Sequence, residues 1–577
     1  MRPLSSLRLQ GPRSEPWMMV GLALFVGAAS AGLAVLLRSG VHHLALFLSD
    51  ARESPLGFLI PAGGALVGVL FIRVIFREPG GHGVPAVLEA VSRRGGFLRR
   101  RSIFSRLLGS LVNVASGGSA GLEGPVAYSA AALGSSVAGS ARLAERQRII
   151  LLACGVAGGI GAIFNAPLAG IIFAAEVVLA ELTLATVIPV SISAIVATEI
   201  GRKILGASGA FSAGSLSWGT ADLGFSAVLG LCAGAVSVLF VKSIFKVEHI
   251  ASKVKAHSVW GTVGVVAAVA GLLVGLLGLL HGQILGEGYS LVQSALSGNL
   301  SLSLKAIAGL WLLKMLATSL TLGSNAPGGI FAPSLVLGAL LGYGFGSFLQ
   351  DELGIVGLAS PSFFALLAMA GLVAGTMQAP FTGIFLALET TGGWGQTLPL
   401  ILVAMLSALV SKTFLRHSFY TWELAESGRL LRPGTDQRIL ADLTAVEMLD
   451  EECISVEIGK TLEDVSHQLA TTHRNHFAVL DEEKRLRGML DISNLRSIIF
   501  DADLRRLTTV ETVMDSNIPR ILTSDSLLQA MQVFEDSGAW VLPVVQSDGL
   551  FCGTVSKSNL FDNYRRELIV QTADRGE

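Results

Sequence analysis

The stretch "SGGSAGLEGPVAYSAAALG", Ser116 to Gly134, carries one charge, Glu123, and no other Asp, Glu, Lys or Arg lies between Arg106 and Arg142. A carboxylate in so apolar a setting is costly and marks a functional position. Its neighbours say of what kind. Proline suits the first turn of a helix, where its missing N–H costs nothing, so "GP" followed by "VAYSAAALG" predicts a helix start near Pro125. A helix start presents unpaired N–H groups and a partial positive charge. Glycines ahead of it let a ligand come close to the backbone. At low dielectric this makes an anion site without a full positive charge. Glu123 stands at that site and is itself an anion. Ionised, it competes with a bound ion; protonated, it loses that attraction and swings away.

The same grammar recurs. "SNAPGGIFAPSLVLGALLGYGFG" starts at Ser324, and Gly121 matches Gly329 as Pro125 matches Pro333, each 208 positions on. "FNAPLAGIIFAAE", Phe164 to Glu176, returns 213 positions later as "MQAPFTGIFLALE", Met377 to Glu389. A third break, "EPGGHGVPAVLEAV", runs from Glu78 to Val91. Irregular backbone survives inside a bilayer only where protein or water covers it. Internal repeats with breaks at matching places therefore point to a transport site at the repeat interface. The absence of Lys or Arg from the two matched breaks favours weak binding and fast release.

Composition sets the frame. Of 577 residues, 51% are hydrophobic and 15% charged, against about 25% charged in soluble domains; mean hydropathy is +0.63. Apolar runs such as Leu56–Ile72, Phe225–Val241 and Trp260–Leu280 continue to about Leu424, after which the sequence turns charged and alternating. The expected organisation is an N-terminal segment, 1–16, a polytopic helical membrane domain, 17–425, with repeats over about 56–205 and 225–416, and a soluble α/β tail in two halves, 440–500 and 508–570. Those halves show as "HFAVLDEEKRLRGMLDISNL" from His476 and "VLPVVQSDGLFCGTVSKSNL" from Val541, which match Gly488 with Gly553 and Asn494 with Asn559, 65 positions apart. Each reads strand, turn, strand, helix start. The first apolar run has the length of a span, not of a cleavable signal. Arg2, Arg8 and Arg13, and the arginines from Arg93 to Arg106, place the N-terminus and that loop on the cytoplasmic side. The four scattered cysteines suggest neither a disulfide framework nor a zinc site. The net charge of −1 points to no polyanionic partner, and no nucleic acid is expected. The apolar part offers no nucleophile–base pair or metal cluster, so an enzyme is not expected.

Together these motifs resemble the CLC family of chloride channels and proton-coupled chloride antiporters, over nearly the whole chain. "GLEGP" is similar to the family's glutamate gate, "GGIFAP" to its second anion-binding loop, and "GHGVP" to its first, usually GSGIP; "NAPLAG" and "QAPFTG" also fit. The resemblance implies two inverted repeats, a homodimer with one pore per subunit in a plasma (bacterial inner) membrane, chloride or a similar small anion as cargo, and no required cofactor. It implies Glu123 as the gating and proton-carrying group. It puts anion binding at His82, Gly83, Val84, Gly121, Gly124, Gly329, Ile330, Phe331 and Ala332, with backbone N–H donors at Ile330 and Phe331. The hydroxyl of Tyr420, in "HSFYTWEL", completes that set.

Two departures bear on function. His82 replaces the usual serine; it donates N–H to the anion, shifts selectivity away from chloride, or sits solvated in a vestibule and leaves the contact to Gly83 and Val84. Proton-coupled members usually carry two successive acids after the "NAPLAG" helix; here Glu176 matches the first and Val177 the second. The expected function is channel-like, glutamate-gated chloride transport. The alternative is anion/proton antiport through the same glutamate, since some antiporters lack the second acid, with Glu176 or His82 as an internal relay. The tail resembles a pair of CBS domains, which can hold an adenine nucleotide in their cleft. The Asp that usually grips the ribose is Asn494 in one copy and Asn559 in the other, a weaker partner for a hydroxyl.

Overall fold

The computed structural model describes residues 15–206, 211–213, 216–253, 259–300, 302–427, 445–450, 453–469, 472 and 474–562. The chain divides into two units, Met1–Leu430 and Leu431–Glu577. Arg2, Arg8 and Arg13, most of the expected 1–16 segment, and the outer ends of the tail halves at 440–444 and 563–570 lie outside the described residues.

The first unit is helical, and among its described residues eight helices are long and apolar enough to cross a bilayer. They fall into two series in the same order. Glu15–Phe47 and Thr220–Ser252, each of 33 residues, open them. Then Ile60–Leu70 corresponds to Val259–Leu280, Gly83–Arg93 to Tyr289–Leu296, and Ser102–Ala115 to Leu304–Gly323. Glu123–Ser140 corresponds to Phe331–Ser347, Glu145–Phe164 to Pro361–Met377, Pro167–Phe173 to Pro380–Thr391, and Leu184–Leu205 to Thr397–Phe414. The first series opens at Glu15, and the expected repeat over about 56–205 holds its later members. The opening span shares only length and hydropathy with its counterpart, so no motif announces it.

Contacts between the halves are exchanged reciprocally, the signature of a two-fold relation. The Gly121 N–H donates to the Gly329 carbonyl and the Gly329 N–H donates to the Gly121 carbonyl, both at 2.8 Å. The Asn113 amide donates to the Pro327 carbonyl at 2.8 Å, while the Ser119 N–H donates to the Thr321 hydroxyl at 3.2 Å. Glu176 accepts from the N–H groups of Phe381 (3.2 Å) and Thr382 (2.8 Å) and from the Thr382 hydroxyl (2.7 Å). Glu389 in turn accepts from the N–H groups of Leu168 (3.0 Å) and Ala169 (2.8 Å). Each repeated "AP" starts a helix, and the glutamate ending one copy caps the start of the other, where N–H groups lack acceptors and the dipole favours a negative charge.

The second unit holds two three-stranded sheets. Strands β1 (Ser455–Glu457), β2 (His476–Leu480) and β3 (Leu486–Asp491) form one; β4 (Ile521–Leu522), β5 (Val541–Val545) and β6 (Phe551–Ser556) form the other. In both, the first strand runs parallel to the second and the second pairs antiparallel with the third. Helices Leu462–Leu469 and Leu527–Ser537 make the crossovers that parallel pairing requires. Val479 pairs with Gly488 and Val544 with Gly553, so strand register follows the 65-residue offset of the sequence.

Candidate anion pathway and gate

Three helices start at the predicted breaks, Gly83–Arg93, Glu123–Ser140 and Phe331–Ser347, and each carries proline as its third residue. Glu123 is the first residue of its helix and fully buried. Its Oε1 accepts a hydrogen bond from the Tyr289 hydroxyl. Its Oε2 closes no hydrogen bond and lies against Gly121 and Gly329, beside the helix starts of both halves. The side chain therefore reaches from the helix start of one half to that of the other. Glycine makes the room: a Cβ on Gly121 would stand 2.0 Å from Oε2, and one on Gly329 3.4 Å from it. The N–H groups of Gly121 and Gly329 are already bonded to each other's carbonyls, so these two residues shape the passage and do not donate into it. Ile330, Phe331 and Ala332 are buried and sit in the cap and first turn, where N–H groups have no acceptor within the helix. Gly124 lies beside Gly329, whose Cα would be 3.4 Å from a Cβ on Gly124.

Tyr420, on the short helix Phe419–Glu426, is 2% exposed, and its hydroxyl has no hydrogen-bond partner. Leaving such a group unsatisfied costs about 1–3 kcal/mol, so it marks a place prepared for an acceptor. An aromatic set fixes it: its ring centroid is 6.2 Å from that of Phe173, which is 5.3 Å from that of Phe331. His82 caps the Gly83 helix and is buried, not solvated in a vestibule as one reading of the sequence had it. Its ring packs 4.7 Å from Phe419, which stands 5.6 Å from Tyr420, and its Nε2 also lacks a partner. Gly83 and Val84 follow it, both buried in the first turn.

Basic residues do come near, brought by folding and not by sequence. The Arg106 guanidinium donates to the carbonyls of Gly81 and, at 3.3 Å, Pro79, and lies 4.9 Å over the Tyr128 ring. Lys314, fully buried, donates to the carbonyls of Ile284 (3.0 Å) and Gly286 (2.9 Å). Each half thus uses a cation to hold its glycine loop, "GGHGV" in one and "LGEGY" in the other. Glu78 ties down the first loop further, accepting from Ser102, Ser105 (2.5 Å) and Tyr128 (3.4 Å). Sequence reasoning missed Tyr289, Lys314, Glu78 and Glu287. A signal existed for three of them: Lys314 is a lone charge in "LWLLKMLATSL", and "GEGYS", which holds Glu287 and Tyr289, carries a glycine break before a helix.

Glu176 is fully engaged at the start of the Pro380 helix, so it is not a free carboxylate facing the gate. Val177 packs, partly buried, against the main core. In the tail, the Asn494 amide donates to Asp491 at 3.2 Å, and both line a cavity of about 550 Å³ together with His476, Asp515 and Trp540. The Asn559 amide instead holds the Met448 carbonyl at 2.9 Å.

Residues 63–412 match the family model described as voltage gated chloride channel, and residues 445–501 and 510–566 each match that of the CBS domain. The H(+)/Cl(-) exchange transporter ClcA of Yersinia pseudotuberculosis serotype IB (strain PB1/+) is 31% identical over 410 residues, which cover 69% of this chain and 85% of that one. The protein of the same name from Vibrio parahaemolyticus serotype O3:K6 (strain RIMD 2210633) is 30% identical over 418 residues, covering 69% and 87%. A slow cyanobacterial Cl-/H+ antiporter superposes with a TM-score of 0.63 at 24% identity, over 72% of this chain and 98% of its own. A eukaryotic CLC transporter does so with a TM-score of 0.61 at 18% identity, over 94% and 98%. The chain belongs to the CLC family: it is a multi-pass membrane protein of anion transport, not an enzyme, and it carries a C-terminal pair of CBS domains.

Proposed function

We propose that this protein exchanges chloride for protons, with Glu123 as the group that both ions engage in turn. One observation carries the reading: the buried Glu123 carboxylate stands at its own helix start and against Gly121 and Gly329, beside the matching helix start of the other half, where a small anion would sit. Carboxylate and anion exclude each other there. Protonation removes the charge that holds Glu123 in place, so an incoming anion and a departing carboxylate are coupled to one proton. The curated relatives named as exchangers support this over the channel-like reading that Val177 suggested. Neutral donors, the first-turn N–H groups near Ile330, Phe331 and Ala332 and the Tyr420 hydroxyl, suit an ion that must bind weakly and leave. The proposal includes a homodimer in the plasma membrane, with the N-terminus and the CBS tail in the cytoplasm.

Proteoliposomes with a chloride gradient test it. The expected result is uphill proton movement driven by chloride, and Glu123→Gln moves chloride without protons. Chloride flux with no proton movement in the unmodified protein returns the channel reading. Nitrate or fluoride flux without chloride flux overturns the choice of anion and implicates His82.

A further inference from the structure

His82 and Glu287 occupy equivalent places in the two halves. "GGHGV" precedes the Gly83 helix as "LGEGY" precedes the Tyr289 helix, and Gly81 and Gly286, each one residue earlier, have their carbonyls held by Arg106 and Lys314. The second loop differs from the first in its chemistry. Glu287 is half-buried and lines a cavity of about 420 Å³, together with Arg52, Glu53, Ser116, Gly117 and Gly286. Ser116 and Gly117 begin the gate loop, and the Gly286 N–H donates to the Gly117 carbonyl at 3.2 Å. Two residues beyond Glu287, the Tyr289 hydroxyl donates to Glu123. The cavity, a carboxylate on its wall and a hydroxyl on the gate therefore follow one another along a single short loop.

The side of the membrane follows from the chain. The Glu15–Phe47 helix leaves the basic N-terminal segment and, at about 1.5 Å per residue, is long enough to cross once. Arg52 and Glu53, just beyond it, therefore lie on the face opposite the N-terminus. We propose that Glu287 is an outer proton-relay residue, taking protons from this cavity and passing them through the Tyr289 hydroxyl to Glu123. The step balances as a double transfer. Tyr289 gives its proton to Glu123 and receives one by way of water from Glu287, which is recharged from the cavity. The charged and titratable groups around Glu287 are Glu123, Tyr289, Arg38 and Lys314, with Arg52 and Glu53 across the cavity.

This inference rests on the exchange reading, and the test separates the two. Full-length protein, Glu287→Gln and Glu287→Asp are reconstituted, and chloride-driven proton flux is measured against external pH. In Glu287→Gln the proton and chloride rates fall together by about tenfold, a modest share of what a positioned acid–base group contributes. The chloride-to-proton ratio stays unchanged and one ionisation disappears from the external pH profile; Glu287→Asp restores both. A Glu287→Gln protein with the unmodified rate and pH profile overturns the inference, and so does one that is only less stable to heat, which makes Glu287 a counter-ion of Lys314. If Glu287→Gln does not fold, Tyr289→Phe interrupts the same relay, and an undiminished proton rate in that variant overturns it equally. Unmodified protein that moves chloride without protons overturns the exchange reading and this inference together.

Discussion

Tyr420 carries a hydroxyl that is buried and unpartnered, while its ring is held by Phe173 and Phe419. Under the proposed function the hydroxyl serves a bound anion, so function and stability pull apart there: the unpartnered group costs the protein that binds none. Tyr420→Phe keeps the ring packing and removes only the hydroxyl. Chloride affinity, read by titration calorimetry, should fall by about fivefold, the worth of one hydrogen bond of about 1 kcal/mol. Thermal stability in low chloride should hold or rise. Unchanged affinity defeats the assignment of Tyr420 as an anion contact. The position was legible in sequence only through the motif "HSFYTWEL", since a lone tyrosine near the end of a span otherwise reads as an interface anchor. Glu123 was legible from physics alone, as one charge among glycines ahead of a proline. Its partner Tyr289 was not: it lies 166 residues away and is joined to the gate only by folding.

At the scale of elements, the repeated segments "FNAPLAGIIFAAE" and "MQAPFTGIFLALE" explain each other. The sequence shows that both end in glutamate but not that the two glutamates change places, each capping the other's helix. Because that exchange runs through space, the sequence alone offered Glu176 as a proton relay, and only the fold adds that it caps a helix. The two roles predict different mutants. Glu176→Gln keeps one acceptor oxygen and removes the charge that favours a helix start, so it should lower stability by about 1 kcal/mol. Glu389→Gln should cost a similar amount, and the pair should add, since the two caps share no partner. Melting of purified protein in detergent reads this directly, and the chloride-to-proton ratio of either variant should match that of the unmodified protein. A changed ratio in Glu176→Gln with unchanged melting would restore the relay.

At the scale of the whole molecule, the repeats govern both units, and their legibility tracks how much chemistry each element carries. In the tail the 65-residue offset made β2 correspond to β5 and β3 to β6, while β1 and β4 carried no such signal. The opening spans of the two halves were not matched, because lipid asks of them only length and hydropathy. The tail's cleft is where the two copies diverge in use. The second copy's Thr554, Ser556 and Ser558 line a smaller cavity of about 210 Å³, with Asn559 committed to the Met448 carbonyl, while Asn494 and Asp491 form a polar wall of the larger one beside Trp540. An adenine nucleotide has what that wall needs: a flat base to stack against an indole and a ribose with two hydroxyls for Asp491 and Asn494. Stacking of a base on an aromatic ring contributes about 1–3 kcal/mol, enough for weak binding without a second ribose grip. Full-length protein should therefore bind ATP or AMP with micromolar to millimolar Kd by calorimetry. Trp540→Ala should abolish that binding, and Asn494→Asp should tighten it several-fold by restoring a charged acceptor. Asn559→Asp should leave affinity unchanged, because its side chain does not line the cavity. Tighter binding in Asn559→Asp than in Asn494→Asp would move the site to the other copy, and no binding in any of them would leave the tail a structural element of the transporter.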